Sequence, residues 1–205
     1  MNFWMIIVLP IFYFSVSWFF PWERIQFHST ISVSYLFDLI LISLTALYYK
    51  KRLLSFGRLK IKGALLRVIA VILYGFICLL MVKKLDFNAP FKYIELTFIQ
   101  LVLLAPFVEE LLFRGVFFLI GRVSGLNKTS NIILNSLFFS VSHLPAIWFL
   151  PPEFHHFIFF QLFYTFGLGW LCVKARDKTD GIFEPYLLHL IFNVQFYIAV
   201  KYYAL

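Results

Sequence analysis

The sequence predicts an all-α fold, a polytopic transmembrane helical bundle of about seven spans, and three observations carry that prediction. Of the 205 residues 62% are hydrophobic and only 14% charged, with mean hydropathy +0.87, which is more apolar surface than a soluble domain can bury. The apolar residues fall into runs close to the roughly 20 residues needed to span hydrocarbon. The cations cluster between those runs, so the net charge of +8 is explained by membrane topology and anionic headgroups, with no reason to invoke nucleic acid. No repeat, low-complexity tract or polar linker interrupts the chain, and residues 1–205 read as a single membrane-embedded domain with its motif-bearing core over about 92–205.

Taken in order, the N-terminal MNFWMIIVLPIFYFSVSWFFPW lacks a basic flank and a small-residue cleavage site, so it reads as a retained helix with Trp4, Trp18 and Trp22 at its interfaces. The second run, residues 31–49, contains the lone carboxylate Asp38, read as a partner in an interhelical hydrogen bond. The remaining runs cover 64–82, 92–120, 131–150, 154–173 and 183–203. Cys78 and Cys172 lie in separate runs without CxxC spacing and read as packing residues. His28, and His155 and His156 after PPEF, read as surface-loop residues, and Glu184 as an acid favouring the positive end of the seventh helix.

Loop charges fix an orientation. The loop holding Lys50, Lys51, Arg52, Arg58, Lys60, Lys62 and Arg67 is cytoplasmic by the positive-inside rule, which puts the N-terminus inside. Arg122 and Lys128, then Lys174, Arg176 and Lys178, fall on the same side, giving twelve cations against the five of Arg24, Lys83, Lys84, Lys92 and Lys201. The basic third loop, with Lys83, Lys84 and Lys92, runs against the rule.

Three segments carry chemistry. APFVEELLFRGVFFLIGR, residues 105–122, places Glu109, Glu110 and Arg114 in an apolar run, where charge faces a bundle interior and points to function, although a structural polar knot would use the same residues. On a helix Glu110 and Arg114 are i and i+4 and can pair, while Glu109 points about 100° away and stays available. LNSLFFSVSHLPAIW sets Phe139 and His143 at i and i+4, with Pro145 removing a backbone donor and breaking the helix locally. Alone, His143 fits a packing residue as well as a catalyst. EPYLLHLIFNVQF sets His189 and Asn193 on one face, with Pro185 near the helix start. At about 1.5 Å per residue, Glu109 and His143 lie roughly 16 and 18 Å, and Asn193 and His189 roughly 15 and 9 Å, from the inner ends of their helices. These depths suggest one shared polar site reachable from the cytoplasmic side.

EELLFR as Glu-Glu-x-x-x-Arg, FSVSH as Phe-x-x-x-His and HLIFN as His-x-x-x-Asn resemble, in that order, the motifs of the CPBP (Abi) group of intramembrane proteases, over residues 106–195. That group includes the CAAX prenyl endopeptidases and bacterial bacteriocin-processing or self-immunity proteins. The resemblance implies an intramembrane endopeptidase that cleaves a membrane-associated or lipid-proximal protein. Glu109 would be the general base activating water, a task suited to a carboxylate in a low-dielectric site. His143 would hold the same water, and His189 with Asn193 would stabilise the oxyanion. Glu110 and Arg114 would be the supporting pair, and Phe139 would pack below His143 without chemical work.

Two Glu and two His would also allow zinc on Glu109, His143 and His189. There is no HExxH arrangement and Asn193 suits an oxyanion donor, so a cofactor-free glutamate mechanism is the expectation. The alternative is a non-proteolytic scaffold or immunity protein, or an ion-coupled transporter, because intramembrane acids and histidines also build ion pathways. A compact chain without a eukaryotic targeting extension suggests a prokaryotic cell membrane and a signal- or sorting-type peptide rather than a prenylated one.

Overall fold

The computed structural model describes residues 4–20, 26–28, 31–32, 34–49, 55–57, 61–90 and 98–203. Trp22, Arg24, Lys50, Lys51, Arg52, Arg58, Lys60 and Lys92 lie outside the described residues. Seven helical rods follow in the expected order: α1 (Met5–Phe19), α2 (Ser34–Tyr49), α3 (Ile61–Lys84), α4 (residues 99–123), α5 (Lys128–Val141), α6 (His155–Thr179) and α7 (Phe183–Tyr203). Gly63–Lys84, Lys128–Phe149 and Pro152–Thr179 are each long and apolar enough to cross a membrane, while Met5–Phe19 and Ser34–Tyr49 are shorter apolar helices. The chain is an integral membrane protein built as a helical bundle.

Several boundaries differ from expectation for local reasons. A two-stranded antiparallel hairpin, β1 (Gln26–His28) with β2 (Ile31–Ser32), precedes α2, so the helix expected from residue 31 begins at Ser34. The β-branched Ile31 suits that extended stretch. α5 starts early because the Asn127 side chain accepts from Ser130 N at 2.9 Å and caps it. α6 runs past the expected residue 173 until Asp180, whose φ of 51° ends it. His155 and His156, expected in a loop, instead open α6 after the 3₁₀ turn Pro152–Phe154, and Ile147 O lies 3.2 Å from His155 Nε2.

The core is continuous from Tyr13 in α1 through Val71 and Cys78 in α3 and Phe113 in α4 to Phe192 and Phe196 in α7. α5 packs on α6, and α7 packs on both α3 and α6. On α3 the opposite face exposes Leu65, Leu66, Leu73 and Phe76, as a lipid-facing surface does. Asp38 of α2 and Tyr13 of α1 lie close enough to interact across the two helices. Cys78 and Cys172 are free and buried.

One end of the bundle is tied together by the loops richest in cations. Ile182 N donates to Ser55 O at 3.0 Å, joining the α2–α3 connection to the α6–α7 turn. The backbones of Gly57 and Gly181 touch there: a Cβ on Gly181 would stand 2.2 Å from Gly57 Cα, so only glycine fits. Arg122 at the end of α4 pairs with Asp180 at 2.7 Å, and Lys128 at the start of α5 pairs with Asp177 at 2.5 Å. Glu184, in the first turn of α7 as expected, is also buried against Arg67 of α3.

Candidate active site

The site grows from an irregular helix. α4 is α-helical over Ala105–Glu110 and Phe118–Val123, but π-helical over Ile99–Leu104 and Leu111–Phe117. A π turn bonds i to i+5, is rare, and marks functional sites because it disturbs the carbonyl ladder. Polar side chains from other helices hold the carbonyls of these stretches. Asn135 Nδ2 donates to Phe113 O at 2.6 Å, Arg176 Nε to Arg114 O at 3.0 Å, and Asn131 Nδ2 to Phe118 O at 3.1 Å. In the first π stretch Leu101 O accepts from Asn193 Nδ2 at 2.9 Å. These backbone carbonyls are thereby paired in apolar surroundings, where an unpaired carbonyl would be expensive.

Between the π stretches, Glu109 and Glu110 point apart, as the helical spacing requires. Glu110 is fully buried. Its Oε1 accepts from His189 Nδ1 at 2.9 Å, and its Oε2 stands 3.1 Å from Arg114 Nε, an ion pair not aligned as a hydrogen bond. Arg114, also fully buried, donates to Gly169 O at 3.3 Å and lies 4.3 Å from the centre of the Phe139 ring. Glu109 is part-exposed and turns into a cavity of about 230 Å³, with its Oε2 3.7 Å from His189 Nε2.

His143 reaches the same cavity from the break in α5. Its backbone N bonds to Ser140 O, and Leu144 N takes Val141 O, so the chain tightens just before Pro145. Phe139 O, freed from its regular partner, accepts from Ser142 Oγ at 2.7 Å and from His143 Nδ1 at 2.9 Å. A carbonyl can only accept, so the His143 proton sits on Nδ1 and Nε2 keeps its lone pair in the neutral ring. Glu110 Oε1 accepts from His189 Nδ1 and so turns its Nε2 to the cavity. Phe139 does more than pack below His143: wholly buried, it meets the edges of both imidazoles, at 5.1 and 5.4 Å between ring centres, and the face of Arg114.

The structure therefore brings Glu109, Phe139, His143, His189 and Asn193 to one cavity and sets Glu110 and Arg114 behind it. Tyr35, Gln161, Tyr164 and Thr165 also line it, and the sequence reading did not include them. Asn131 and Asn135 were not singled out, although polar side chains at i and i+4 in an apolar helix are a legible signal, and Arg176 was counted only as a loop cation, its burial being visible only in the fold. The polar residues share one cavity, and its lining extends along two helices. From Glu109 the lining continues through Ala105 and Leu101 toward the start of α4, and from His189 through Asn193 to Phe196 toward the end of α7. Both directions lead away from the end that carries the cationic loops.

Metal fit divides between chemistry and geometry. A carboxylate behind His189 is an arrangement that orients metal-bound imidazoles, and both histidines keep Nε2 for the cavity. Among the described residues, however, no three His, Cys, Asp or Glu side chains are grouped so that they could hold a metal ion.

Carboxylates and imidazoles gathered among apolar helices mark a functional site of a membrane protein. The family is narrower: the family model described as type II CAAX prenyl endopeptidase Rce1-like matches residues 92–195, half of the chain, and the chain belongs to this family. Membership supports a membrane-embedded CAAX-type endopeptidase with a membrane-associated protein as substrate. No curated protein and no solved structure matches the chain.

Proposed function

We propose that the chain hydrolyses a peptide bond of a membrane-associated protein with a water activated by Glu109. The observation that carries this reading is the division of labour between neighbouring carboxylates: Glu110 is locked by Arg114 and His189, whereas Glu109 faces the cavity. Glu109 takes a proton from water, and His143 Nε2 accepts the water's second hydrogen as a hydrogen bond and aligns it. The hydroxide adds to the scissile carbonyl, and the oxyanion receives hydrogen bonds from the Asn193 amide and from His189 Nε2–H. Because His189 Nδ1–H is committed to Glu110, donation from Nε2 requires the imidazolium, for which Glu109 and Glu110 are the counter-charges. Collapse passes the proton from Glu109 to the departing amine and breaks the C–N bond.

The test compares protein termini in membranes carrying the wild-type chain, Glu109→Gln or no copy, with folding of the variant verified. Termini should appear only with the wild type, and their rate of formation should fall about 10²- to 10⁴-fold in the variant, the range of a general base. Indistinguishable behaviour of the variant would favour a scaffold, immunity or transport role. Zinc is the second reading, favoured by the carboxylate behind His189. Stoichiometric zinc in the purified protein, with cleavage lost on chelation and restored by zinc alone, would replace the metal-free scheme.

A further inference from the structure

We propose that the groove between α3 and α7 holds an acyl chain of one anionic phospholipid, whose phosphate is met by Lys83 at the mouth. The groove lies on a different face of α7 from the Glu109 cavity, and the proposal is independent of the proteolytic reading.

Two helical stripes build the groove. Phe76, Leu79, Leu80 and Lys83 fall at i, i+3, i+4 and i+7 on α3, and Gln195, Ile198 and Ala199 at i, i+3 and i+4 on α7. Together they line a cavity of about 410 Å³. The two helices run parallel, because Arg67 meets Glu184 near both starts and Gly75 meets Gln195 farther along. A Cβ on Gly75 would stand 2.8 Å from the Gln195 amide, so the helices are closest there and Gln195 forms the inner end of the groove. From Phe76 to Lys83 the stripe then climbs about 10 Å along the helix axis, the direction in which a lipid chain lies beside a membrane-spanning helix. Phe76, Leu80 and Ile198 are exposed, so the groove opens outward from the bundle, whereas Asn193 and Phe196 on the same helix face the Glu109 cavity.

The mouth is positive. Lys83 closes the α3 stripe, Lys84 follows it, and both are exposed. On α7 the next position of the stripe is the exposed Tyr202, whose ring centre lies 5.7 Å from Lys201 Nζ, and Lys201 Nζ donates to the Tyr197 hydroxyl at 3.1 Å. Lysines and tyrosines gathered at helix ends mark the level of lipid headgroups. Among the described residues no carboxylate pairs with Lys83, Lys84 or Lys201. A second apolar helix would fill the groove and leave these cations unanswered. A phospholipid with net negative charge supplies both the chain and the counter-charge, as in other basic pockets between transmembrane helices.

The test counts lipid on the purified full-length protein by native mass spectrometry, from micelles holding equal amounts of phosphatidylglycerol and phosphatidylcholine with identical acyl chains. Wild type should retain one phosphatidylglycerol, preferred about tenfold over phosphatidylcholine. Lys83→Gln should lower that preference about fivefold, the worth of one lysine near a membrane surface, while Lys83→Arg keeps it. Leu80→Trp, which fills the groove from its exposed wall, should release lipid of both kinds, and Lys128→Gln, at the other end of the bundle, should change nothing. Circular dichroism verifies that each variant is folded, and the Lys83 pair decides the outcome if Leu80→Trp is not. Absence of a headgroup preference in wild type overturns the proposal, as does an equal preference in wild type and Lys83→Gln, or lipid retained by folded Leu80→Trp. A lipid-free wild-type dimer that Leu80→Trp splits overturns it too, and assigns the groove to a second copy of the chain.

Discussion

The buried triplet of Arg114, Glu110 and His189 makes a quantitative prediction. Glu110→Gln keeps an acceptor for His189 Nδ1, because the amide oxygen can stand where Oε1 now lies at 2.9 Å, but it removes the charge that faces Arg114 at 3.1 Å. Arg114 keeps the Gly169 carbonyl and the Phe139 ring, yet its side chain has no accessible surface through which water could compensate. Breaking a buried pair from one side typically destabilises by about 3–5 kcal/mol. The surviving contacts place this case at the low end, about 3 kcal/mol, roughly a 150-fold change in the folded-to-unfolded ratio. Adding Arg114→Met removes the stranded charge and fills similar volume, so the double variant should return to within about 1 kcal/mol of wild type. Equilibrium unfolding in mixed micelles, read by circular dichroism for the four members of the cycle, measures the coupling. A loss below about 1 kcal/mol for Glu110→Gln, or a double variant no more stable than the single, would refute the idea that Glu110 neutralises Arg114.

Further outcomes follow from other contacts. Asn193→Ala removes one oxyanion donor and should lower kcat about 10²- to 10³-fold with little change in KM, read by turnover of a substrate identified from the termini comparison. Asn135→Leu strands the Phe113 carbonyl in an apolar interior and should destabilise the fold by about 1–3 kcal/mol, visible as a lower midpoint in the same unfolding assay. Gly181→Ala drives a methyl group into the Gly57 backbone and should destabilise by about 1–3 kcal/mol through the clash, with no left-handed strain to add to it.

What could be read from the sequence was what repeats along one helix. The run lengths gave the seven rods, and the spacing in EELLFR correctly separated Glu109 from Glu110 and paired Glu110 with Arg114. The same spacing put His189 and Asn193 on one wall. Contacts between helices were not legible. The bond from His189 to Glu110 joins residues 79 apart, and nothing in either segment announces the other. The π stretches were invisible because a regular helix was assumed throughout α4. Depth counted along each helix brought the polar residues to one level but carried no information on how the helices pack around that level. Tyr35 escaped notice for a related reason: nothing in its own segment sets it apart, and only the packing of α2 brings it to the cavity.

The borrowed partners of α4 also govern when the enzyme comes into being. As an isolated segment in lipid, this helix would settle into the regular i to i+4 ladder, since its π turns leave carbonyls that hydrocarbon cannot satisfy. Those carbonyls are met by Asn135 of α5, Arg176 of α6 and Asn193 of α7, all of which are synthesised later. The distorted shape that aims Glu109 into the cavity is thus a product of assembly. A chain still emerging into the membrane holds its glutamate without that geometry, and the last helix to arrive brings both the final backbone partner and the proposed oxyanion donors. Hydrolytic competence is in this way withheld until the bundle is complete.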